Sequence, residues 1–450
     1  MIGFFREKKR LILLFVFAVV FGLVISFIFR QKINPAVLFI DSMAYKAIAL
    51  NIIEHGNFSD PDQTSPNNFR TPGYPLWLAL IYLIFGSFKY AIPIGIIVFS
   101  FTAPLAYLIA RELFNEKIAW LSGLLVALEP WATFLTGTIM SEQLFMPLFL
   151  LSVYLFIRYL KQNSHVFLYF SAGLLGICAL TRPNALYLWP VFAIFVFFKK
   201  NGFLKSLRIA GLASLIFLLV IAPWLIRNKI VLDTWQITSV QGFSLYVTNF
   251  NALQVYLGNF KNLNDGYTRA YKITEGFSVS ATKGSEILMK EAVLGIKNNF
   301  FDYVKISVLS LPNFFISNSY SSLGYYWGFK EFKIQSQIFG LIKVRHFSEA
   351  WNKILNISWG ERILLASGFF WPIISILFLV GGAISLFKFK PINLIFYIIG
   401  IIFYFDVISH LMPELARFRI QVQPFIFMFA SVGLIYLFNK INASIQKLRV

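Results

Sequence analysis

Apolar residues in this chain come in long runs separated by short basic or polar connections. The runs are 11–29, 91–110, 118–137, 143–160, 166–181, 184–198, 207–226, 363–387, 391–409 and 420–438. Each is long enough, or nearly so, to cross the roughly 30 Å hydrocarbon layer of a bilayer as a helix. The first run follows the basic stretch MIGFFREKKR and ends at Arg30, with no small-x-small cleavage pattern after it. That predicts a span with a cytoplasmic N-terminal side rather than a signal peptide. Arg111 and Lys117, Arg158 and Lys161, Lys199 through Arg208, Lys388 and Lys390, and Lys440 through Arg449 occupy alternate connections. Placing that basic set in the cytoplasm makes 30–90, 138–142, 182–183, 227–360 and 410–419 external. The expected architecture is an all-α polytopic membrane protein of about ten transmembrane helices with both ends inside.

One apolar run fits this alternation poorly. Residues 74–86 (YPLWLALIYLIFG) number only about 13, and as a span they would invert every later basic connection. They are expected to lie in or dip into the outer leaflet. Ahead of them, 41–56 places Met43, Ala47, Leu50 and Ile53 at helical spacing, with Asp41 near the start and Gly56 as a stop. A polar loop rich in Pro, Asn and Asp follows at 57–69. The expected modules are an N-terminal membrane part at 1–226 with its first external loop at 30–90, a large external segment at 227–360, and C-terminal membrane helices at 361–450. A 134-residue external segment is too long for a connector. Within it, 300–316 is apolar enough to lie on the membrane or dip into it.

Composition agrees with lipid as the solvent. Hydrophobic residues make up 58% of the chain and charged residues 13%, too few to cover a soluble surface. The net charge of +20 fits basic residues flanking spans and facing anionic lipid. Nucleic acid is not implied. The single cysteine, Cys178, excludes an internal disulfide or a cysteine-rich metal site.

Ionisable residues at one membrane face are the candidates for chemistry. Asp41 and Glu142 are acids at span ends on the external side. Each also reads as a helix-terminus acid, since a carboxylate there accepts orphan backbone N–H groups, with Ser141 as the cap for Glu142. Glu129, in Leu-Glu-Pro-Trp, reads first as a pairing group beside the break at Pro130. Arg70, Arg182, Arg227, Arg417 and Arg419 gather on the same side, where short loops usually avoid arginine. Singly each is a snorkelling surface group; together they suit an anionic ligand such as a lipid-linked phosphate. His410 and Glu414 are spaced i, i+4 and are either polar packing or a metal pair. The residues name no certain cofactor and leave a divalent cation open. Walker, HExxH, GxSxG and Rossmann glycine patterns do not occur.

The sequence resembles a known superfamily at several points. Asp41, the short helix, Arg70-Thr-Pro-Gly-Tyr74-Pro and the helix ending in Phe85-Gly86 are similar to the first external loop of GT-C glycosyltransferases. Ser141-Glu142-Gln-Leu-Phe resembles their second acidic loop. Thr181-Arg182-Pro183, Ala222-Pro223-Trp224 through Arg227-Asn228, and Arg417-Phe-Arg419 with Pro424 resemble later landmarks of bacterial members. The nearest branches are the protein mannosyltransferase-like and aminoarabinose-transferase-like enzymes. An acidic pair found in some branches is missing here, because Ser42 follows Asp41.

The resemblance implies inverting transfer of a hexosyl or pentosyl unit from a polyprenyl-phosphate carrier to a glycan, lipid or protein acceptor, on the external face of a bacterial inner membrane. It implies Asp41 as the base and Glu142 as its helper or the group that orients the acceptor. Arg70, Arg417, Arg182 and Arg227 would hold phosphate, with Tyr74, His410, Glu414 and Arg419 also in the substrate site. The alternative is a lipid or sugar transporter, which would carry inverted repeats and charges near the midplane. An assembly partner of an envelope complex would need no such gathering of acids and arginines.

Overall fold

A computed structural model describes residues 2–30, 40–59, 66, 68–197, 199, 202–274, 281–318, 320, 323, 337–338, 340–341, 344–390, 392–412 and 415–448. Among these residues the regular structure is helical, with no strand. Seven helices are long and apolar enough to cross a membrane, and a bent pair supplies an eighth span. The ten expected runs correspond to these eight and to two shorter apolar stretches, His165–Thr181 and Pro183–Phe197. Many side chains on the long helices are apolar and exposed, such as Leu219 at 61% and Leu379 at 67%. Such surfaces are stable only against lipid.

The chain opens with α1 (Ile2–Arg30), α2 (Ile40–His55) and α3 (Gly73–Phe85). A helix of 13 residues is about 20 Å long, so α3 cannot span. It buries Tyr74, Pro75, Leu78, Ala79 and Ile81 against the bundle and exposes Leu76, Leu80, Leu83 and Ile84 on its other side. Gly86 ends it at φ 68°, with its N–H donating to the Tyr82 carbonyl, the left-handed stop that glycine adopts at little cost.

Then come α4 (Ala91–Ser100), α5 (Thr102–Leu113), α6 (Glu116–Ala127) and α7 (Pro130–Thr136). The last two meet at a bend of 50°. Pro130 cannot continue α6, and Glu129 caps α7 by accepting from the Ala132 N–H at 2.6 Å. Its other oxygen accepts from the Tyr320 hydroxyl at 3.0 Å, so Glu129 is a paired group at a helix break. Next are α8 (Glu142–Gln162), α9 (His165–Thr181), a 3-10 stretch at Pro183–Leu188, α10 (Trp189–Phe197) and α11 (Phe203–Leu232). Helix α11 continues past 226, which puts Arg227 on its last turns rather than in a loop.

The following segment folds into α12 (Val240–Ser244), a π-helical turn (Leu245–Phe250), α13 (Asn251–Tyr256), α14 (Leu263–Ile273), α15 (Ala281–Asn298) and α16 (Phe300–Ile316). Tyr246, Val247, Phe250, Ala270, Leu288 and Ala292 form a small core there. Beyond it lie α17 (Phe347–Asn356), α18 (Trp359–Ser367), α19 (Phe370–Lys388), α20 (Ile392–Ser409), α21 (Leu415–Arg419) and α22 (Gln423–Leu448). Helix α22 is central: Phe425 through Ala430 are all buried, on every side of the helix. It packs closely against α19 because Gly381 faces it; a Cβ at Gly381 would overlap the Phe429 backbone.

The two ends of the bundle differ in chemistry. At one end Arg10 pairs with Glu116 and Arg111 with Glu7. Nearby, Lys161 pairs with Glu112 at 2.6 Å and Lys199 donates to the Tyr159 carbonyl at 2.7 Å. The starts of α2, α3 and α8, the end of α9 and the α20–α22 turn all lie at the other end.

Candidate functional site

Five charged residues from five places in the chain meet at that second end. Asp41 lies in the first turn of α2, inside the helix rather than at its cap. Glu142 lies in the first turn of α8, Arg182 directly follows α9, and Arg417 sits on α21. Arg70 precedes α3 on a loop whose backbone is tied down: Ser239 N–H donates to the Asn68 carbonyl at 3.1 Å and the Thr238 hydroxyl to the Phe69 carbonyl at 2.7 Å. Gly73 lets this loop sit on the end of α9, since a Cβ there would fall 2.7 Å from Thr181 Oγ1 and 2.8 Å from the Leu180 carbonyl.

Arg417 joins the acids. Its Nε donates to Glu142 Oε1 at 2.8 Å and its NH2 to Asp41 Oδ2 at 2.9 Å. Asp41 Oδ1 accepts from Arg70 NH2. Arg182 NH1 lies 2.7 Å from Glu142 Oε1 and donates to Ser141 Oγ at 3.0 Å. With the Gln421 amide oxygen turned toward it, Arg182 also donates from Nε and NH2, at 3.0 and 3.2 Å. Three guanidiniums against two carboxylates leave one net positive charge. Burial pushes the Asp41 carboxyl up, but the Arg70 and Arg417 guanidiniums outweigh it and hold its pKa below the ordinary carboxylate value. Burial opposes the charge on Arg417, yet Glu142 and Asp41 raise its pKa above the usual arginine value.

Asp41, Arg70, Arg182 and Arg417 line a cavity of about 540 Å³, within the range of small-molecule sites. Glu142 does not line it. At 1% exposure it stands behind Arg182 and Arg417, so the expectation that it touches the acceptor gives way to a position that orients two arginines. Arg70 keeps unused capacity: its Nε is buried with no hydrogen-bond partner among the described residues, while its guanidinium stacks over Phe69 and Tyr45, at 5.0 and 5.5 Å.

Other expected site residues fall outside the cavity. Arg227 NH2 donates to the Phe58 carbonyl at 2.6 Å, and the guanidinium lies over Trp224 at 4.9 Å. Arg419 is buried over Trp371 at 3.6 Å and donates to the carbonyls of Phe314, Phe315 and Ser317, which locks the end of α16 to the bundle. Tyr74 is buried and donates to Gln143 Oε1 at 2.7 Å. His410 is buried, with Nδ1 2.7 Å from the Val407 carbonyl; burial lowers its pKa. Glu414 lies outside the described residues. Gln143 and Gln421, which anchor Tyr74 and Arg182, were not singled out from sequence. Their signal is an amide embedded at the apolar start of a span.

The acids do not fit a divalent cation. Both carboxylates already face guanidiniums and share Arg417, so a metal would meet three like charges. Among the described residues no three of His, Cys, Asp or Glu come together.

Residues 69–226 match the family model of dolichyl-phosphate-mannose-protein mannosyltransferase. No curated protein sequence matches the chain. Solved structures that share its fold include two oligosaccharyltransferases. One is the archaeal oligosaccharyltransferase AglB from Archaeoglobus fulgidus in complex with an inhibitory peptide and a dolichol-phosphate; the identity is 14%, the TM-score 0.52, and the match covers 98% of this chain and 52% of that one. The other is the Archaeoglobus fulgidus oligosaccharyltransferase tethered to an acceptor peptide, at 11% identity and TM-score 0.53, covering 98% and 50%. The chain thus spans about half the length of these structures. By its apolar helices it is an integral membrane protein, it shares the fold of these oligosaccharyltransferase structures, and its sequence resembles the mannosyltransferase family over residues 69–226.

Proposed function

We propose that the chain transfers a single sugar from a polyprenyl-phosphate carrier to an acceptor hydroxyl, at the membrane face opposite its basic connections. The observation that carries this reading is the arginine–carboxylate cluster in the cavity wall, with Arg70 and Arg417 bound to the one carboxylate that reaches the cavity among the described residues. The mannosyltransferase-family match over 69–226 supports a lipid-phosphate donor. Basic residues at the far end of the bundle support an external site.

The same two arginines suit a phosphate. Guanidinium forks bind oxyanions in a bidentate way, and an arriving donor phosphate competes with Asp41 for them. Phosphate is the leaving group, so cations beside it stabilise the charge that grows as the bond breaks. Asp41, relieved of its partners, accepts the acceptor's proton. The acceptor oxygen bonds to the anomeric carbon as the bond from that carbon to the phosphate oxygen breaks, with inversion. The products are the glycosylated acceptor and polyprenyl phosphate, with the proton on Asp41. Arg182 is saturated by Glu142, Ser141 and Gln421 and holds the frame. The cavity is of a size for one sugar and its phosphate.

The test uses purified protein in lipid nanodiscs with polyprenyl-phosphate-linked radiolabelled monosaccharides and a membrane extract as acceptor. Label should move from the carrier to a second molecule. Movement of intact carrier between leaflets with no transfer would overturn the proposal in favour of a transporter.

A further inference from the structure

The cavity has a second kind of wall that the phosphate chemistry does not use. Its charged residues are those of the cluster; the rest of the described lining is neutral. Three of those neutral residues offer hydrogen bonds that the protein itself does not consume. Asn184, in the 3-10 stretch after Arg182, has no side-chain partner among the described residues. Ser244, at the end of α12, likewise keeps its hydroxyl unpaired there. Gln241 on α12 accepts from the Tyr187 hydroxyl at 3.3 Å and retains its amide donors. All three are half-buried. Asn249 is a useful contrast: it also lines the cavity, but its oxygen accepts from Thr248 at 2.8 Å and its amide donates to Tyr303 at 2.8 Å.

These groups are held in fixed relation to the arginines. The Gly242 N–H donates to Ser285 Oγ at 3.2 Å, which pins α12 to α15. Ser239, directly ahead of α12, bonds the backbone beside Arg70. A π-helical turn begins at Leu245, a distortion often found at functional sites. A sugar ring presents several hydroxyls, each donor and acceptor at once, and neutral amides and hydroxyls are their natural partners. Polar groups placed in this way set specificity, because an analogue lacking its hydroxyl leaves them unpaired.

We infer that Asn184, Gln241 and Ser244 form the wall that reads the donor sugar, and so determine which sugar the protein accepts. This rests on the transferase reading. Gln241 and Ser244 lie beyond the family match, which ends at 226. Among the described lining residues the one carboxylate is Asp41, already held by Arg70 and Arg417, which disfavours amino sugars.

The test compares binding of sugar-free polyprenyl phosphate with binding of polyprenyl-phosphate glucose, mannose, galactose, arabinose and 4-amino-arabinose, together with transfer of each. In Asn184→Ala, Gln241→Ala and Ser244→Ala, binding of sugar-free carrier should stay unchanged, which also reports an intact fold. Affinity for the preferred sugar donor should drop about tenfold, and the kcat/KM ratio between donors should narrow by at least that factor. Gln241→Glu should gain use of the amino sugar. If wild type transfers a sugar but all three alanine variants keep the same donor ratios, the sugar-reading wall is wrong and the transferase reading stands. If wild type transfers none, the transferase reading fails and takes this inference with it.

Discussion

At Asp41 both carboxylate oxygens are held by guanidiniums, Oδ1 by Arg70 and Oδ2 by Arg417. A base held this way is weak until its partners are drawn off. Its folded-state pKa lies below the ordinary value of 3.8, so its contribution to stability is fully present above that value and is lost as pH falls through the lowered one. The same logic separates two kinetic profiles. The kcat/KM profile reports the free protein and kcat the donor complex. When phosphate takes the arginines, Asp41 titrates higher, so the acid limb of kcat should sit at a higher pH than that of kcat/KM. Coincident limbs would mean the arginines never leave Asp41. Behind them, Glu142→Ala leaves the buried Arg182 without a carboxylate and Arg417 with Asp41 alone, and removing one partner of a buried pair costs about 3–5 kcal/mol; a chemical-denaturation or thermal-melt series on detergent-solubilised protein checks this. The sequence makes these five residues legible as types on one membrane face. It does not show that Glu142 stands behind the arginines. It also does not separate Arg70 from Arg227 and Arg419, whose donors are taken by backbone carbonyls that no local pattern reveals.

The elements of the first loop show how far periodicity reaches. A helix at 41–56 and a short apolar helix at 74–86 are both legible, and they appear as α2 and α3. The buried face of α2 is not. Apolar spacing selects Met43, Ala47, Leu50 and Ile53, yet Met43 is 58% exposed, while Ser42, Tyr45, Ile48 and Ala49 are buried. Ser42 can turn inward because its hydroxyl donates to the Ile139 carbonyl at 2.9 Å. Near a bilayer the apolar face of a helix can meet lipid and a small polar face can meet protein, so the usual inference inverts. Cysteine labelling at Lys89 should report the same side of the membrane as labelling at Asn57, ahead of α3; opposite sides would mean α3 crosses. Gly73→Val should force the Arg70 loop off Leu180 and Thr181. A misplacement of about 1 Å can cost 10²-fold in rate, so transfer should fall while α3 itself, read by circular dichroism, persists.

Across the whole molecule, the span count follows from hydropathy and the site's end of the bundle from the distribution of lysine and arginine. Residues 227–360 stay opaque because their helices are short, mixed in polarity and matched to no family pattern. That segment nevertheless supplies Gln241, Ser244 and Asn249 to the cavity and ties down the Arg70 loop. Charge and architecture therefore meet at Asp41, which the first loop places against Arg70 and Arg417. The most direct test is to measure donor affinity and transfer together in Asp41→Asn. Asparagine keeps the shape but gives up the negative charge that competes with phosphate, and it cannot take a proton. Donor affinity should rise by up to about tenfold, since a charge-assisted hydrogen bond is worth roughly 1.5–3 kcal/mol and only part of that is released, while transfer falls by about 10²–10⁴. Near-normal transfer, or weaker donor binding alongside the lost rate, would contradict the account.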